Sequence, residues 1–232
     1  MNWLARWFES PVALDAASRQ RMSAWVMLPE PAMQQPLTNT RWVVVDTETS
    51  GLNPRRDSLI SIGACQVTGN LLDLGRSFYT LIRQSQVSST ENVLIHGIGH
   101  AEQVSGTDYL TGLTTYLEFC RRDVLVAYHA AFDEAMLRTA MQRHLSLRFR
   151  PVWIDVAKLA DVLFPVEGRH FRMLDEWLAH FSIEHPARHH ALADAFCTAQ
   201  LLLVLLAKAQ ERGLQTLRRL IQAERSHQWL KY

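Results

Sequence analysis

Hydrophobic residues recur along this 232-residue chain at two different spacings, which divide it into a central part and two flanking parts. Near the N-terminus they recur at helical intervals, with Trp3 and Trp7 on one face of the predicted helix. The segment LPEPAMQQPLTNT, residues 28–40, then interrupts this spacing with three prolines, which is typical of a linker. Helical spacing returns in the last residues. The pattern predicts an N-terminal helical extension with a proline-rich linker (1–40), a central domain (41–210) and a C-terminal helical extension (211–232).

The central part has the spacing of strands first and of helices afterwards. Strands are predicted at about 41–46, 58–67 and 72–82, because apolar runs there are separated by the turn-forming segments GLNPRRD and TGNLLD. Two further apolar runs, VLVAY and VWIDV, alternate with segments of helical spacing. Three successive strands followed by β-α alternation predict an α/β fold, in which a mixed sheet carries helices on its faces and the crossovers are right-handed.

Four acidic residues are predicted to gather at the carboxyl ends of these strands. Asp46 and Glu48 follow three consecutive valines, and side chains two residues apart on a strand point the same way. Asp133 follows the VLVAY strand, and Asp194 begins a long apolar helix. Carboxylates crowded into one crevice raise one another's pKa unless cations neutralise them, and oxygen ligands suit Mg²⁺ or Mn²⁺. His189 precedes the long helix on a loop, where it can act as a general base toward water.

Composition narrows the class of protein. Hydrophobic residues make up 48% and charged residues 20% of the chain, as in ordinary globular proteins, and no apolar run approaches the roughly 20 residues of a membrane span. Arg6 interrupts the apolar N-terminus, so we expect no secretory signal and a cytoplasmic location. The net charge of +1 argues against binding of long nucleic-acid tracts by overall charge. Three widely spaced cysteines predict neither a disulfide framework nor a thiolate zinc site.

Four short motifs together resemble a known family. VVDTETSGL, IHGI, AYHAAFD and HHALAD, in this order, resemble the DEDDh branch of the DEDD 3′-5′ exonuclease superfamily, which includes polymerase proofreading subunits and RNase T. The resemblance covers roughly residues 41–205. It implies a ribonuclease H-like fold, with a mixed five-stranded sheet and helices on both faces. It also implies two divalent cations, Mg²⁺ or Mn²⁺, and release of nucleoside 5′-monophosphates from single-stranded 3′ ends, with DNA as the expected substrate.

The resemblance assigns a role to individual residues. It implies that the two cations are held by four acids, namely Asp46, Glu48, Asp133 and Asp194. It implies that His189, five residues before the last acid, is the catalytic base, in preference to His190. The residues expected to contact the terminal nucleotide are Thr49, Leu52, His96, Ile98 and Phe132. The second motif departs from the family pattern, because Tyr128 and His129 stand where His and Asn are usual, which puts substrate positioning in doubt.

Other readings of these residues stay open. A non-catalytic nucleic-acid-binding or polymerase-associated module could keep this fold, and an RNA-trimming exoribonuclease would carry the same motifs. The terminal helices could bind a polymerase, another protein or a second copy of the chain. Asp155 is expected to cap a helix outside the site, and the pairs Arg55–Arg56 and Arg121–Arg122 are expected to be solvated turn charges. The sequence does not distinguish DNA from RNA, since that depends on how a pocket meets the 2′-hydroxyl.

Overall fold

The computed structural model describes residues 14–86, 90–185 and 189–226. Its strands are β1 (Arg41–Thr49), β2 (Leu59–Thr68), β3 (Leu71–Leu81), β4 (Val124–Ala127) and β5 (Trp153–Asp155). Its helices are α1 (Ala16–Met27), α2 (Thr90–His96), α3 (His100–Ser105), α4 (Tyr109–Cys120), α5 (Ala131–Leu145), α6 (Val156–Leu163), α7 (Leu174–His180), α8 (Ala191–Glu211) and α9 (Leu217–Ser226). The predicted helical face of Trp3 and Trp7 lies outside the described residues.

The five strands form one mixed sheet in the order β3-β2-β1-β4-β5. The first three make the antiparallel meander that the sequence predicts, and β4 and β5 are added in parallel to β1. β1 is therefore central, with a parallel neighbour on one side and an antiparallel neighbour on the other. The prediction of a mixed five-stranded sheet is confirmed.

The core has two layers, one on each face of the sheet. Alternate residues of β1 enter different layers, because Trp42 and Val44 join the core with α6, α8 and α9 while Val43 and Val45 join the core with α1, α4 and α5. This alternation explains why β1 reads as a continuous apolar run rather than an alternating one. The same alternation determines on which side of the sheet the side chains after Val45 lie, and these include the acidic residues of β1.

The segments before and after the central domain pack against its two core layers. Trp25 of α1 is buried, and its ring lies 5.7 Å from that of Phe149. Leu217 and Leu220 of α9 are buried in the layer beneath α6 and α8. The linker between α1 and β1 contains no α-helix. It pairs with the C-terminal part through the bridge between Pro36 and Thr216 and through the amide of Arg218, which donates a 2.8 Å hydrogen bond to the carbonyl of Met33.

Aspartate side chains cap the starts of three helices in the described part of the chain. Asp15 and Asp108 accept hydrogen bonds from backbone amides in the first turns of α1 and α4, at 2.8 and 2.9 Å. Asp155 caps α6 by accepting from the amide of Ala157 at 3.1 Å and pairs with Lys158 at 3.2 Å. Such caps satisfy amides that have no partner within the helix. The expectation that Asp155 caps a helix is confirmed.

The structure corrects or adds to the sequence predictions at three places. β1 continues to Thr49 rather than ending near residue 46, because its pairing with β2 extends past Glu48. The short helices α2 and α3 were not predicted, since glycines separate them and neither is long enough to show a clear period. α8 is long and apolar enough to cross a membrane by length and composition alone. Half of its apolar stretch is buried within the protein, however, and core helices pass the same test, so it is weak evidence for a span.

Candidate active site

Three carboxylates meet where β1 ends and α8 begins. Asp46 and Glu48 are two residues apart on β1 and continue the row of Val44, so they project on the α8 side of the sheet. Asp194 lies in the first turn of α8. One oxygen from each of these three carboxylates lies within 4.8 Å of the others, and all three residues are half-buried. Residues from two elements that are distant in sequence thus form one cluster of oxygen ligands.

Gly63 of β2 allows this close approach. It pairs with Asp46 on one side and with Tyr79 of β3 on the other. A Cβ atom at this position would lie 2.1 Å from the backbone nitrogen of Leu192, which is closer than real Cβ atoms come to other atoms. The first turn of α8 therefore rests directly on the backbone of β2. This contact determines how near Asp194 stands to the acids of β1.

Asp133 comes from the opposite face of the sheet. Thr47 lies between the two acids of β1 and therefore points toward α5, where its hydroxyl donates a 2.8 Å hydrogen bond to the carboxylate of Asp133. Asp133 is buried in the first turn of α5. It is not part of the cluster of three, but it lies near enough to raise the pKa of both Asp46 and Glu48. The structure thus groups three of the four predicted acids directly and sets the fourth beside them.

The crowded acids resist ionisation. Burial, followed by repulsion from Asp133, raises the pKa of Asp46 well above its ordinary value. Burial, followed by repulsion from Asp194 and Asp133, raises the pKa of Glu48 from 4.5 to about 7. Burial also raises the pKa of Asp133 to about 7, although the hydrogen bond from Thr47 opposes that rise. Adjacent carboxylates in such a state gain stability from any cation that neutralises them.

The ligand set suits a hard divalent cation. Every member of the cluster offers carboxylate oxygen, with neither a thiolate nor an imidazole within it. Such ligands favour Mg²⁺, Mn²⁺ or Ca²⁺ over softer ions. Burial and then repulsion between carboxylates raise the pKa values of Asp46 and Glu48, so a bound cation would favour their ionised forms. The residues therefore fit the kind of metal that the sequence predicts.

The two histidines before α8 have different surroundings. The ring of His190 stacks on Tyr79 with 5.0 Å between centroids, and its Nδ1 lies 3.4 Å from the amide of Ala193, which it caps. His189 is exposed, has a left-handed backbone with φ of 58°, and makes no ring contact to the described residues. A histidine engaged in capping and stacking is less able to move toward a substrate. The surroundings therefore favour His189 over His190 as the mobile base.

A third histidine contacts the acids directly. The Nε2 atom of His185 lies 2.5 Å from an oxygen of Asp194, and its Nδ1 atom lies 3.4 Å from an oxygen of Asp175. The His185 side chain is 12% exposed. It therefore links Asp194 to α7 and fixes the orientation of that carboxylate. A residue that holds a metal-ligating carboxylate in this way also tunes how it binds the metal.

The predicted nucleotide contacts differ in accessibility. Leu52 is 86% exposed on the loop after β1, where an apolar side chain is free to meet a base. Thr49 is half-buried and donates a 2.8 Å hydrogen bond to the carbonyl of Gly51. His96 and Ile98 are buried, and the Nδ1 atom of His96 accepts a 3.0 Å hydrogen bond from the amide of Ile98. Burial lowers the pKa of His96.

Phe132 and the altered second motif have structural partners. Phe132 is half-buried against the core layer of α1, α4 and α5. The hydroxyl of Tyr128 donates to the carbonyl of Arg172 at 2.9 Å, and the Nε2 atom of His129 lies 3.2 Å from the same oxygen. His129 has a left-handed backbone with φ of 57°. The two replacements thus hold the chain before α7 close to the end of β4.

Sequence reasoning missed four residues that shape this site: Thr47, Gly63, Tyr79 and His185. Thr47 could have been found, because strand alternation turns it toward the helix that carries Asp133. Gly63 gave a weaker signal, as a glycine inside a strand often marks a close backbone approach. No local pattern points to the other two, since their contacts join segments that are distant in sequence.

Comparison with known proteins finds an exonuclease family model and relatives named for DNA polymerase III. The RNase_T family model, described as "Exonuclease", matches residues 43–202. The "DNA polymerase III subunit epsilon-like protein" of Rhodobacter capsulatus is 30% identical over 196 residues, which are 84% of this chain and 28% of that protein. The "DNA polymerase III PolC-type" of Bacillus subtilis is 31% identical over 182 residues, which are 77% of this chain and 12% of that protein. The chain thus spans less than a third of either relative.

Solved structures share the fold at low identity. E. coli Exonuclease I in complex with a dT13 oligonucleotide has a TM-score of 0.64 and 17% identity, over 75% of this chain and 42% of that chain. Exonuclease X in complex with 5′ overhanging duplex DNA has a TM-score of 0.59 and 21% identity, over 77% of this chain and 99% of that chain. The likeness confirms the predicted fold class, a ribonuclease H-like mixed sheet with helices on both faces.

Proposed function

This chain belongs to the exonuclease family whose model it matches, and we propose that it is a metal-dependent 3′-5′ exonuclease releasing nucleoside 5′-monophosphates from single-stranded 3′ ends. The observation that carries the proposal is the meeting of Asp46, Glu48 and Asp194 within 4.8 Å. Burial and mutual repulsion raise the pKa of Asp46 and Glu48 in this cluster, and such crowding is costly for a protein that only binds nucleic acid, which is itself an anion. The cluster is therefore better suited to hydrolysis than to passive binding.

Two divalent cations, Mg²⁺ or Mn²⁺, are proposed as cofactors. Asp46, Glu48 and Asp194 would hold one of them, and Asp133 would contribute to holding the other. When bound, such cations supply positive charge that stabilises the transition state of phosphodiester hydrolysis. The raised pKa values of Asp46 and Glu48 favour their protonated forms in the metal-free protein, so metal binding should release protons.

His189 is proposed as the general base. One of its imidazole nitrogens takes a proton from the attacking water as the water oxygen bonds to phosphorus. The bond between phosphorus and the 3′ oxygen breaks, and that oxygen takes a proton from solvent water, which leaves a 3′-hydroxyl on the shortened strand. The exposure of His189 supports this role, because the base must reach a water beside the substrate. His185 and Thr47 act as positioning residues, since each holds one acid in place by a hydrogen bond.

The proposed substrate is single-stranded DNA. The relatives whose names include DNA polymerase III and the Exonuclease I complex with a dT13 oligonucleotide support this choice. The residues proposed to contact the terminal nucleotide are Thr49, Leu52, His96, Ile98 and Phe132. RNA trimming is the second candidate, because the same acids would act on either sugar.

We further propose that the catalytic unit spans 41–210, that the enzyme works in the cytoplasm, and that its terminal helices offer a surface for a polymerase, another protein or a second copy. The relatives named as polymerase subunits support the first kind of partner. Size-exclusion chromatography with light scattering tests for binding of a second copy, because a dimer would have twice the 26.6 kDa mass of one chain.

The decisive experiment follows product release from 3′-labelled and 5′-labelled single-stranded DNA and RNA, with Mg²⁺, Mn²⁺ or EDTA. We expect metal-dependent release of mononucleotides from the 3′ end, faster from DNA, and a loss of about 10²- to 10⁴-fold in kcat for His189→Ala. His190→Ala is the matched control and should retain most activity. Absence of release from both polymers with either metal would refute the proposal and leave a binding module. Equal losses in the two histidine variants would refute only the choice of base.

A further inference from the structure

A groove lined by arginines lies outside the carboxylate site. It has a volume of about 370 Å³, and its walls include Arg138, Arg143, Arg148 and Arg150. All four of these side chains belong to exposed residues. The groove is formed between α5 and the segment that leads from α5 toward β5, and none of the residues implied by the family motifs lies in it.

The local sequence explains why the charges face one another. Arg138 and Arg143 lie on the exposed side of α5, whose other side is buried through Met136, Leu137 and neighbouring residues. In the returning segment, Leu147 and Phe149 are buried while the two arginines beside them are exposed. An extended chain places alternate residues on opposite sides, so both of its arginines point outward. Two arginines of α5 thus face two arginines of the segment that follows α5.

Four cations around one small groove repel one another. Glu134 offsets part of this charge, at 3.7 Å from Arg138, but both side chains of that pair are about half exposed and the pair is correspondingly weak. The chain as a whole has a net charge of only +1, so without these four arginines it would carry a net negative charge. Positive charges brought close together in this way attract an anion into the groove. Arginine forks are suited to phosphate oxygens in particular.

Two elements connect the groove to the acids. α5 begins beside the site with Asp133, and Arg138 and Arg143 follow about 8 and 15 Å further along its axis, at 1.5 Å per residue. The loop that follows β1 after Thr49 reaches the same region, because the guanidinium of Arg143 donates a 3.0 Å hydrogen bond to the carbonyl of Arg55. A strand whose 3′ end lies at the acids could therefore extend over this surface.

We propose that the arginine groove binds backbone phosphates of the substrate strand on the 5′ side of the terminal nucleotides, and so lengthens the strand that the enzyme holds. This inference rests on the proposed nuclease function, which supplies the polyanion and its direction. Phosphate contacts of this kind hold the strand irrespective of base sequence. The groove should consequently matter for long strands and not for very short ones.

The test compares Arg138→Gln/Arg150→Gln, which removes one charge from each wall, with the matched control Arg76→Gln/Arg219→Gln on β3 and α9. The dissociation constant of a long fluorescent single-stranded DNA is measured by anisotropy in EDTA at several salt concentrations. Release of mononucleotide from a dinucleotide and from the long strand is then measured with Mg²⁺. Circular dichroism and urea unfolding verify that both variants are folded.

We expect the groove variant to bind the long strand several-fold more weakly than wild type and control. Its slope of log Kd against log salt should be smaller by about 1.4, at roughly 0.7 for each lost phosphate contact. Its kcat/KM should fall for the long strand and stay unchanged for the dinucleotide. Equal binding and hydrolysis in groove and control variants, with wild type active, would overturn the inference and leave the groove to another anionic partner. Failure of wild type to release nucleotide from either substrate would instead refute the proposed function.

Discussion

Replacing Glu48 by Gln should stabilise the metal-free protein at neutral and alkaline pH. In the folded protein, burial and the nearby Asp194 and Asp133 raise the pKa of Glu48 from 4.5 to about 7. A carboxyl group whose pKa is higher in the folded than in the unfolded state is harder to ionise when the protein is folded. Its contribution to stability is therefore most favourable below the unfolded pKa and is lost as pH rises toward the folded pKa. Keeping Glu48 ionised above pH 7 therefore costs folding free energy, and glutamine removes the cost.

The size of the effect follows from the pKa values. At about 1.4 kcal/mol for each pH unit between 4.5 and about 7, the cost of ionising Glu48 reaches about 3 kcal/mol. Below pH 4.5 the side chain is protonated in both states, so the variant and wild type should be nearly equal in stability. The difference should grow between pH 4.5 and 7 and then remain constant.

Urea unfolding in EDTA at pH 4.5, 6 and 8 measures this difference, with Glu211→Gln as a matched control. Glu211 is exposed and pairs with Lys208 on the surface, so its replacement should change stability by less than about 1 kcal/mol at any pH. Repeating the series with excess Mn²⁺ should reverse the order at pH 8, because wild type gains more from a bound cation. A Glu48→Gln variant that is no more stable than wild type at pH 8 in EDTA, or whose advantage does not vary with pH, would refute the reasoning.

Three other changes test single contacts in the site. Gly63→Ala should displace the start of α8 and lower both Mn²⁺ affinity and activity at least tenfold, as measured in titrations and activity assays. The control Gly75→Ala on exposed β3 should leave both near wild type, because its added Cβ meets only a side-chain oxygen at 3.3 Å. Thr47→Val removes a hydrogen bond to buried Asp133 and should lower the free energy of unfolding by about 1.5–3 kcal/mol at pH 8. The loss should be smaller at pH 5, where Asp133 is protonated, and an equal loss in urea unfolding at both pH values would contradict this. His185→Ala should weaken Mn²⁺ binding about 10- to 100-fold in calorimetry while the protein stays folded, and unchanged affinity would rule out a positioning role.

Local sequence patterns were sufficient to predict the class of fold and the acids. Alternating β and α patterns and the four motifs led to a mixed sheet and to the exonuclease family, which the structure and the family match bear out. The roles of the predicted acids stay predictions, although the structure brings Asp46, Glu48 and Asp194 together. These features are local, since strand alternation and helix starts depend on residues only a few positions apart. The same patterns supplied a reason to expect a metal, because crowded carboxylates require neutralisation.

Which groups touch one another depends instead on tertiary packing. The folded structure separates Asp133 from the three clustered acids by placing it on the other face of the sheet, and it brings His185 against Asp194 and α8 against Gly63. It also unites arginines from a helix and from the segment after it into one groove. Each of these contacts depends on the packing of elements whose distance and rotation are set by the whole core, so no short stretch of sequence encodes them.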